Sequence, residues 1–371
     1  MQVKISAAGT RAFDCLCLNR YNAHPLRFLF FPRKTRLLDK RLILMDPAKL
    51  LIFSFTKSEY VTACVDHLQA ELGCQELDPK GDLAEQFKGV EMVIDIGGHS
   101  SREMIDAAVD AKFWQVIGTG LDHCEVQYIL EKGISLGNTP GFTSALGLAE
   151  SAMMYILMLT RRYNEARENF FERNFFEPNG KTLADLTLGI IGFGASGRQL
   201  AKRAKSFGMR IEAIDIRPLD ADLPADMQPD FYGMSDQLDE AIARCDVLSL
   251  HLHLTPETTH IIDASRLALM KPTAFLINVA RGALVDEDAL AEALLGGKIG
   301  GAGIDVFRQE PADCTRPEYQ LANFIVTPHT SGQTDETVRC RCQIVIDNVR
   351  RLDAGDEPLH LIDASMGLGK S

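Results

Sequence analysis

Three side chains in the carboxyl-terminal third have the chemistry to move a proton beside a small anion. Arg281 closes the segment Asn278-Val279-Ala280-Arg281-Gly282, Glu310 stands before Pro311, and His329 follows Pro328. A guanidinium grips a carboxylate, an imidazole exchanges a proton near neutral pH, and a neighbouring carboxylate orients the imidazole ring. Each of the three follows a short apolar run that reads as a strand, and they are 29 and 19 residues apart. If those strands lie parallel in one sheet, all three reach its carboxyl edge, where open α/β sheets bind ligands.

A second set of residues suits a phosphate. Gly192-Phe193-Gly194-Ala195-Ser196-Gly197 follows the strand-like run 186–191 and opens a helix that runs to Phe207. Asp215 ends the next strand, 18 residues after the last glycine. In this dinucleotide fingerprint Gly192 makes the tight turn, Gly194 lets the backbone approach a pyrophosphate, and Gly197 allows close helix–strand packing. The unpaired N–H groups at the helix start face the anion. Asp215 would accept from the adenosine ribose hydroxyls and repel a 2′-phosphate, so NAD is expected ahead of NADP, with Arg217 close by.

These groups need a scaffold of alternating elements. Strand-like runs stand at 50–55, 90–96, 114–118 and 134–136, with helix-periodic stretches at 57–72, 101–109 and 126–132. A helix over 145–162 is apolar nearly all round its middle, and 170–179 reads as irregular. The alternation then resumes, with strands at 186–191, 210–216, 247–252, 274–279, 303–306 and 324–326, and a last helix over 335–352. This pattern predicts an α/β protein with two doubly wound parallel sheets, a crossover near residue 144 and a return near 328.

Composition narrows the classes. The 371 residues are 46% hydrophobic and 24% charged, which excludes wholesale disorder, and the net charge of −12 argues against a nucleic-acid partner. No apolar run is long enough to span a bilayer. The nine cysteines are scattered, and Cys15/Cys17 and Cys340/Cys342 are C-x-C pairs without zinc spacing, so neither a metal nor a disulfide framework is expected. The reading is a soluble, reduced, cytoplasmic protein. Residues 1–44 differ from the rest: they carry a net charge of +7, leaving −19 for the remainder. A disordered basic arm, a transit peptide and an upstream, non-native start all fit. The last is favoured because a strand follows Met45-Asp46-Pro47 almost at once.

From about 45 to 367 the chain resembles the D-isomer-specific 2-hydroxyacid dehydrogenase family. The resemblance rests on 192–197 with Asp215, on Leu250-His251-Leu252-His253-Leu254-Thr255-Pro256-Glu257-Thr258, and on the Arg281, Glu310 and His329 segments in that order. Ile117-Gly118-Thr119-Gly120-Leu121-Asp122 and Asn138-Thr139-Pro140-Gly141 extend it. It implies two Rossmann- or flavodoxin-like domains with the active site in the cleft between them. The substrate domain would be 45–143 plus 329–371 and the NAD domain 144–328, in a homodimer joined largely through the NAD domains.

The resemblance also implies an activity, the interconversion of a small 2-oxo acid and its D-2-hydroxy acid. Arg281 would bind the substrate and polarise its carbonyl. His329 would donate the proton, and Glu310 would hold the His329 ring and favour its charged form. Ala195 and Ser196 would contact the pyrophosphate, and Thr255, Val279 and Ala280 would line the cofactor. Asp305 would hold the nicotinamide carboxamide, with Ser331 and Gly332 near the nicotinamide, and Gly97 and Gly98 would offer backbone N–H groups to the substrate carboxylate. The chain departs from the family at His253, commonly Pro, and has no Trp in 169–177. His99 and Arg102 sit near the substrate loop as solvated residues or as readers of a second polar group. An NADH-sensing corepressor-like protein on the same fold is the alternative; a formate dehydrogenase-like enzyme is disfavoured because that branch carries Gln at the position of Glu310.

Overall fold

Strands flanked by helices on both faces bury every position, and the first strand here does so. β1 (Leu50–Phe53) is fully buried and leads through α1 (Glu59–Leu72) to β2 (Gln75–Glu76). After α2 (Leu83–Phe87), the buried β3 (Met92–Ile96) is followed by α3 (Arg102–Ala107), β4 (Phe113–Ile117), α4 (Val126–Glu131) and β5 (Ser135–Gly137). The computed structural model describes residues 45–363, so the expectations for 1–44 lie outside the described residues.

The chain crosses over through α5 (Ala145–Thr160) and α6 (Tyr163–Glu172). It then builds β6 (Thr187–Ile191), α7 (Ala195–Ser206), β7 (Arg210–Ile214), β8 (Phe231–Gly233), α8 (Leu238–Arg244) and β9 (Val247–Leu250). α9 (Ala264–Leu269), β10 (Phe275–Asn278), α10 (Glu287–Leu295), β11 (Gly301–Ile304), β12 (Phe324–Val326) and α11 (Asp335–Ala354) complete it.

The result is two parallel-sheet α/β domains. The first sheet has the order β2-β1-β3-β4-β5 and the second β12-β11-β10-β9-β6-β7-β8. All their pairings are parallel. The strand order reverses between β1 and β3 in one sheet and between β6 and β9 in the other, so each sheet has a crevice at its switch point. One face of the second sheet packs on α5 and α7 through Tyr155, Ile156, Leu200 and Ala204, the other on α8 to α10 through Ile242, Leu267 and Leu294. A Cβ on Gly303 of β11 would lie 2.6 Å from Tyr155 Cβ, so the tyrosine ring occupies the place of a side chain there.

α11 returns to the first sheet. Its Val338, Cys342, Val345 and Val349 are buried with Leu50, Ile52 and Ile94, and Asn348 Nδ2 donates to Gln115 Oε1 at 2.6 Å. Among the described residues no helix is long and apolar enough to cross a membrane. Two details differ from the sequence expectation. β2 and β8 are strands of two and three residues, too short to show a period. The stretch read as irregular from 170 contains the end of α6, which buries none of its residues and so carries no apolar stripe.

Candidate active site

The glycine turn sits at the carboxyl end of β6, at the switch point. Gly192 has φ of 92°, and a Cβ there would lie 2.5 Å from the His251 carbonyl oxygen, which passes over it from the end of β9. A Cβ on Gly197 would lie 2.3 Å from the Gly192 oxygen, so helix and turn touch backbone to backbone. Gly194 is different. A Cβ there would meet only Arg217 Nη2, at 3.6 Å, so its outer side is open. Gly194 is also the N-cap of α7 and supplies no side-chain cap, which leaves first-turn N–H groups near Ala195 and Ser196 for an anion. This cradle fits a dinucleotide pyrophosphate.

Asp215 lies one residue beyond β7 and is 7% exposed. Its carboxylate accepts from Phe193 N at 2.7 Å and from Arg217 N, Nε and Nη2 at 3.0, 3.2 and 3.4 Å. Burial pushes the carboxyl up, but the Arg217 bonds and the Phe193 N–H bring it below its usual range. The expected ribose acceptor is therefore already engaged, by an Arg217 side chain that is 69% exposed. Of the other expected cofactor contacts, Thr255 and Ala280 are half-buried, and Thr255 N donates to Thr258 Oγ1 at 2.8 Å. Val279 is buried in the core among the α5 and α7 side chains, so its side chain does not line a cofactor surface.

The His329 loop follows β12. His329 has φ of 56°, in the left-handed region, and its N–H donates to Asp305 O at 2.8 Å. The Asp305 carboxylate is buried and accepts from Thr330 N at 2.9 Å, Ser331 N at 2.8 Å and the Thr327 hydroxyl. It organises the loop. Thr327 in turn meets the hydroxyl of Tyr155, whose burial pushes it up to about 12. Ser331 is buried in this wiring, while Gly332 is half-buried against Ser144. Held this way, His329 places Nδ1 2.7 Å from Glu310 Oε2, and its Nε2 has no partner among the described residues. Glu310 Oε1 accepts from Phe307 N at 3.0 Å. Burial raises the Glu310 carboxyl, but the His329 bond, the Phe307 N–H and the Arg281 charge outweigh it and hold the group below its usual range.

Arg281 reaches across from the second sheet to the first. Its Nε donates to Asp122 Oδ1 at 3.0 Å and its Nη1 to Ala280 O at 2.8 Å. A Cβ on Gly120 would lie 1.6 Å from Nη2, so the guanidinium rests against Gly120 and would have to shift if a side chain stood there. Asp122 also faces His123 Nδ1 at 3.6 Å. Burial alone would raise Asp122; His123 and Arg281 take it far below the usual carboxylate range, and the same bond raises His123. The His123 ring stacks on His99 with centroids 4.5 Å apart, and its Nε2 meets Gly97 O.

Gly97 and Gly98 do not present the backbone donors expected of them. Gly97 N donates to Ile117 O at 3.2 Å. The N–H groups of Gly98, His99 and Ser100 all turn inward to the Asp95 carboxylate, at 2.9, 3.1 and 3.3 Å. Asp95 is wholly buried in β3, which pushes its carboxyl up, and Trp114 Nε1 donates to it at 3.3 Å. His253 is exposed, with its carbonyl accepting from Thr258 Oγ1 at 2.8 Å, and Arg102 pairs with Glu125.

The structure thus joins Glu310 to His329 directly and brings the Arg281 charge to the pair. Sequence reasoning missed Asp122, His251, Tyr155 and Asp95. Asp122 and His251 stand inside motifs that were noticed, whereas Tyr155 and Asp95 sit in an apolar helix and an apolar strand, where a lone polar group is itself a signal.

Residues 153–331 match the family described as D-isomer specific 2-hydroxyacid dehydrogenase, NAD binding domain. D-3-phosphoglycerate dehydrogenase of Methanocaldococcus jannaschii is 35% identical over 283 residues, 75% of this chain and 52% of that protein. The chain therefore spans about half the length of that relative. Hydroxypyruvate reductase of Thermotoga maritima is 39% identical over 243 residues, 64% of this chain and 76% of that protein. The crystal structure of TT0316 protein from Thermus thermophilus superposes with a TM-score of 0.71 at 30% identity, covering 85% of this chain and all of that one. With a nucleotide turn, two wound sheets and these relatives in agreement, the chain belongs to the D-isomer specific 2-hydroxyacid dehydrogenase family of NAD-dependent oxidoreductases.

Proposed function

We propose that this protein interconverts a small 2-oxo acid and its D-2-hydroxy acid, with 144–328 binding NAD and 45–143 plus 329–371 forming the substrate side. The observation that carries the reading is the 2.7 Å bond between His329 Nδ1 and Glu310 Oε2, which leaves Nε2 unengaged on the sheet edge that also bears the glycine turn. When bound, the reduced nicotinamide supplies the hydride that reduces the carbonyl carbon.

The chain's own residues do the rest. Arg281, steadied by Asp122, binds the substrate carboxylate and draws electron density onto the carbonyl oxygen. His329 Nε2 delivers a proton to that oxygen, and takes it back in the oxidative direction. Glu310 fixes the ring orientation and balances the charge on the imidazolium. Gly194, Ala195 and Ser196 hold the pyrophosphate, and Asp215 takes the ribose.

The proposal includes a cytoplasmic homodimer. Its support is apolar surface on the crossover helices and the turn after them: Met154 is exposed on α5, and Phe170, Phe171, Phe175 and Phe176 are exposed on α6 and beyond. Assay of the purified chain with NADH and NADPH against glyoxylate, hydroxypyruvate, pyruvate and 3-phosphohydroxypyruvate tests the activity. Turnover of at least one with a preference for NADH is expected; NADH binding with no turnover of any would favour a sensor.

A further inference from the structure

The end of β9 carries an imidazole that the proposed chemistry leaves unused. His251 is pinned by its backbone: its N–H donates to Ile191 O at 2.7 Å, and its carbonyl lies over Gly192. Its ring bridges two hydroxyls, Ser249 Oγ on Nε2 and Ser196 Oγ on Nδ1, each at 3.0 Å. Ser249 is completely buried on β9. Ser196 is the second residue of α7, at the open mouth of the glycine turn. Among the described residues neither hydroxyl has another hydrogen-bond partner. Desolvation pushes the His251 imidazole down to about 3, so at physiological pH the ring is neutral, with one donor nitrogen and one acceptor nitrogen.

Two arrangements of protons are then open. In one, Nε2–H donates to Ser249, whose own proton is left buried without an acceptor, and Ser196 spends its proton on Nδ1. In the other, Ser249 donates to Nε2, and Nδ1–H donates to Ser196. The second satisfies the buried Ser249 hydroxyl, while the first strands it at a cost. The second also leaves the Ser196 proton free to point out of the turn.

We propose that His251 is a positioning residue for the nucleotide: the buried Ser249 fixes its tautomer, and His251 thereby commits the Ser196 hydroxyl to donate to a bound pyrophosphate. The relay adds a side-chain donor to the backbone donors of the turn, at the switch-point crevice between β6 and β9. It rests on the dinucleotide reading and is independent of which 2-oxo acid is turned over.

A double-mutant cycle on the full chain tests the relay, read as binding of ADP, adenosine and NADH by calorimetry. Ser196→Ala should weaken ADP and NADH by about 5–10-fold, the scale of one lost hydrogen bond to a charged group, and His251→Phe, which leaves that hydroxyl in place but unoriented, by about two-fold or more. The double variant should be no weaker than Ser196→Ala alone, because His251 acts only through the Ser196 hydroxyl. Adenosine, which lacks phosphates, should bind all variants alike. Ser249→Ala, a smaller change should His251→Phe fail to fold, should weaken ADP about two-fold or more and add nothing in the Ser196→Ala background. Losses that multiply in the double variant, unchanged ADP binding by His251→Phe or, if it does not fold, by Ser249→Ala, or an equal loss of adenosine, would overturn the relay. An unaltered chain that binds neither ADP nor NADH would instead overturn the nucleotide reading itself.

Discussion

After β3 the chain turns on Gly97 and Gly98, at φ of 105° and 77°; after β6 it turns on Gly192, at 92°, and enters α7 through Gly194. Both loops close a strand beside a switch point, and both are glycine turns in the sequence. They end with opposite chemistry. In the first, a buried carboxylate on the strand, Asp95, takes the N–H groups of residues 98 to 100, and α3 is capped by Ser101. In the second, Asp215 takes only the N–H of Phe193 from the turn, and the N-cap of α7 has no side chain to offer. A glycine loop is a ligand cradle when its donors are left over, and a structural knot when a neighbouring carboxylate consumes them.

That contrast can be broken at single positions. The largest effect is expected from Gly194→Ala. Its φ of −81° suits any residue, so the fold should survive within about 1 kcal/mol. The methyl group stands where a phosphate must approach, and NADH affinity should fall about 10–100-fold by titration. Unchanged affinity would place the nucleotide elsewhere. Asp95→Asn should do the reverse. Its amide opposes the Ser100 and Trp114 donors, lowering stability by about 2–4 kcal/mol in denaturant titration with NADH affinity unaffected. Gly98→Ala forces a methyl group into a left-handed residue 3.2 Å from Val116, and should cost about 1–3 kcal/mol, again without touching NADH. A loss of NADH binding in either would erase the distinction between the loops.

The smallest effect is a pH dependence. His123 is raised, first by its bond to Asp122, so its stabilisation is complete below its unfolded value near about 6.5 and fades as pH climbs through the higher folded value. The melting-temperature gap between the unaltered chain and His123→Asn should therefore be wider at about pH 6 than at about pH 9. A constant gap would mean that the pair with Asp122 contributes nothing.

How much of this could be read in advance follows the range of the interaction. The 192–197 turn, Asp215 and the strand ends bearing Arg281, Glu310 and His329 were legible because turn glycines and apolar runs are local signals. Donor bookkeeping was not. Asp95 lies inside an apolar strand whose pattern does not tell which N–H groups will bend back to it. Asp305 was placed only by the family resemblance, which gives no hint that its carboxylate also accepts from Thr327, Thr330 and Ser331, 22 to 26 residues on. Asp122 meets Arg281 from 159 residues away, and Tyr155 meets Thr327 from 172. Such pairings form only once distant elements have folded together, and the Asp122–Arg281 pair also needs the two sheets to meet.

The central claim is that the imidazole held by Glu310 moves the proton while other residues hold the nucleotide. His329→Ala, assayed for NADH affinity and for single-turnover reduction of the best 2-oxo acid, tests it most directly. The account expects NADH binding within about two-fold of the unaltered chain and a reduction rate lower by about 10²–10⁴-fold. Reduction at nearly the original rate, with NADH still bound, would contradict it.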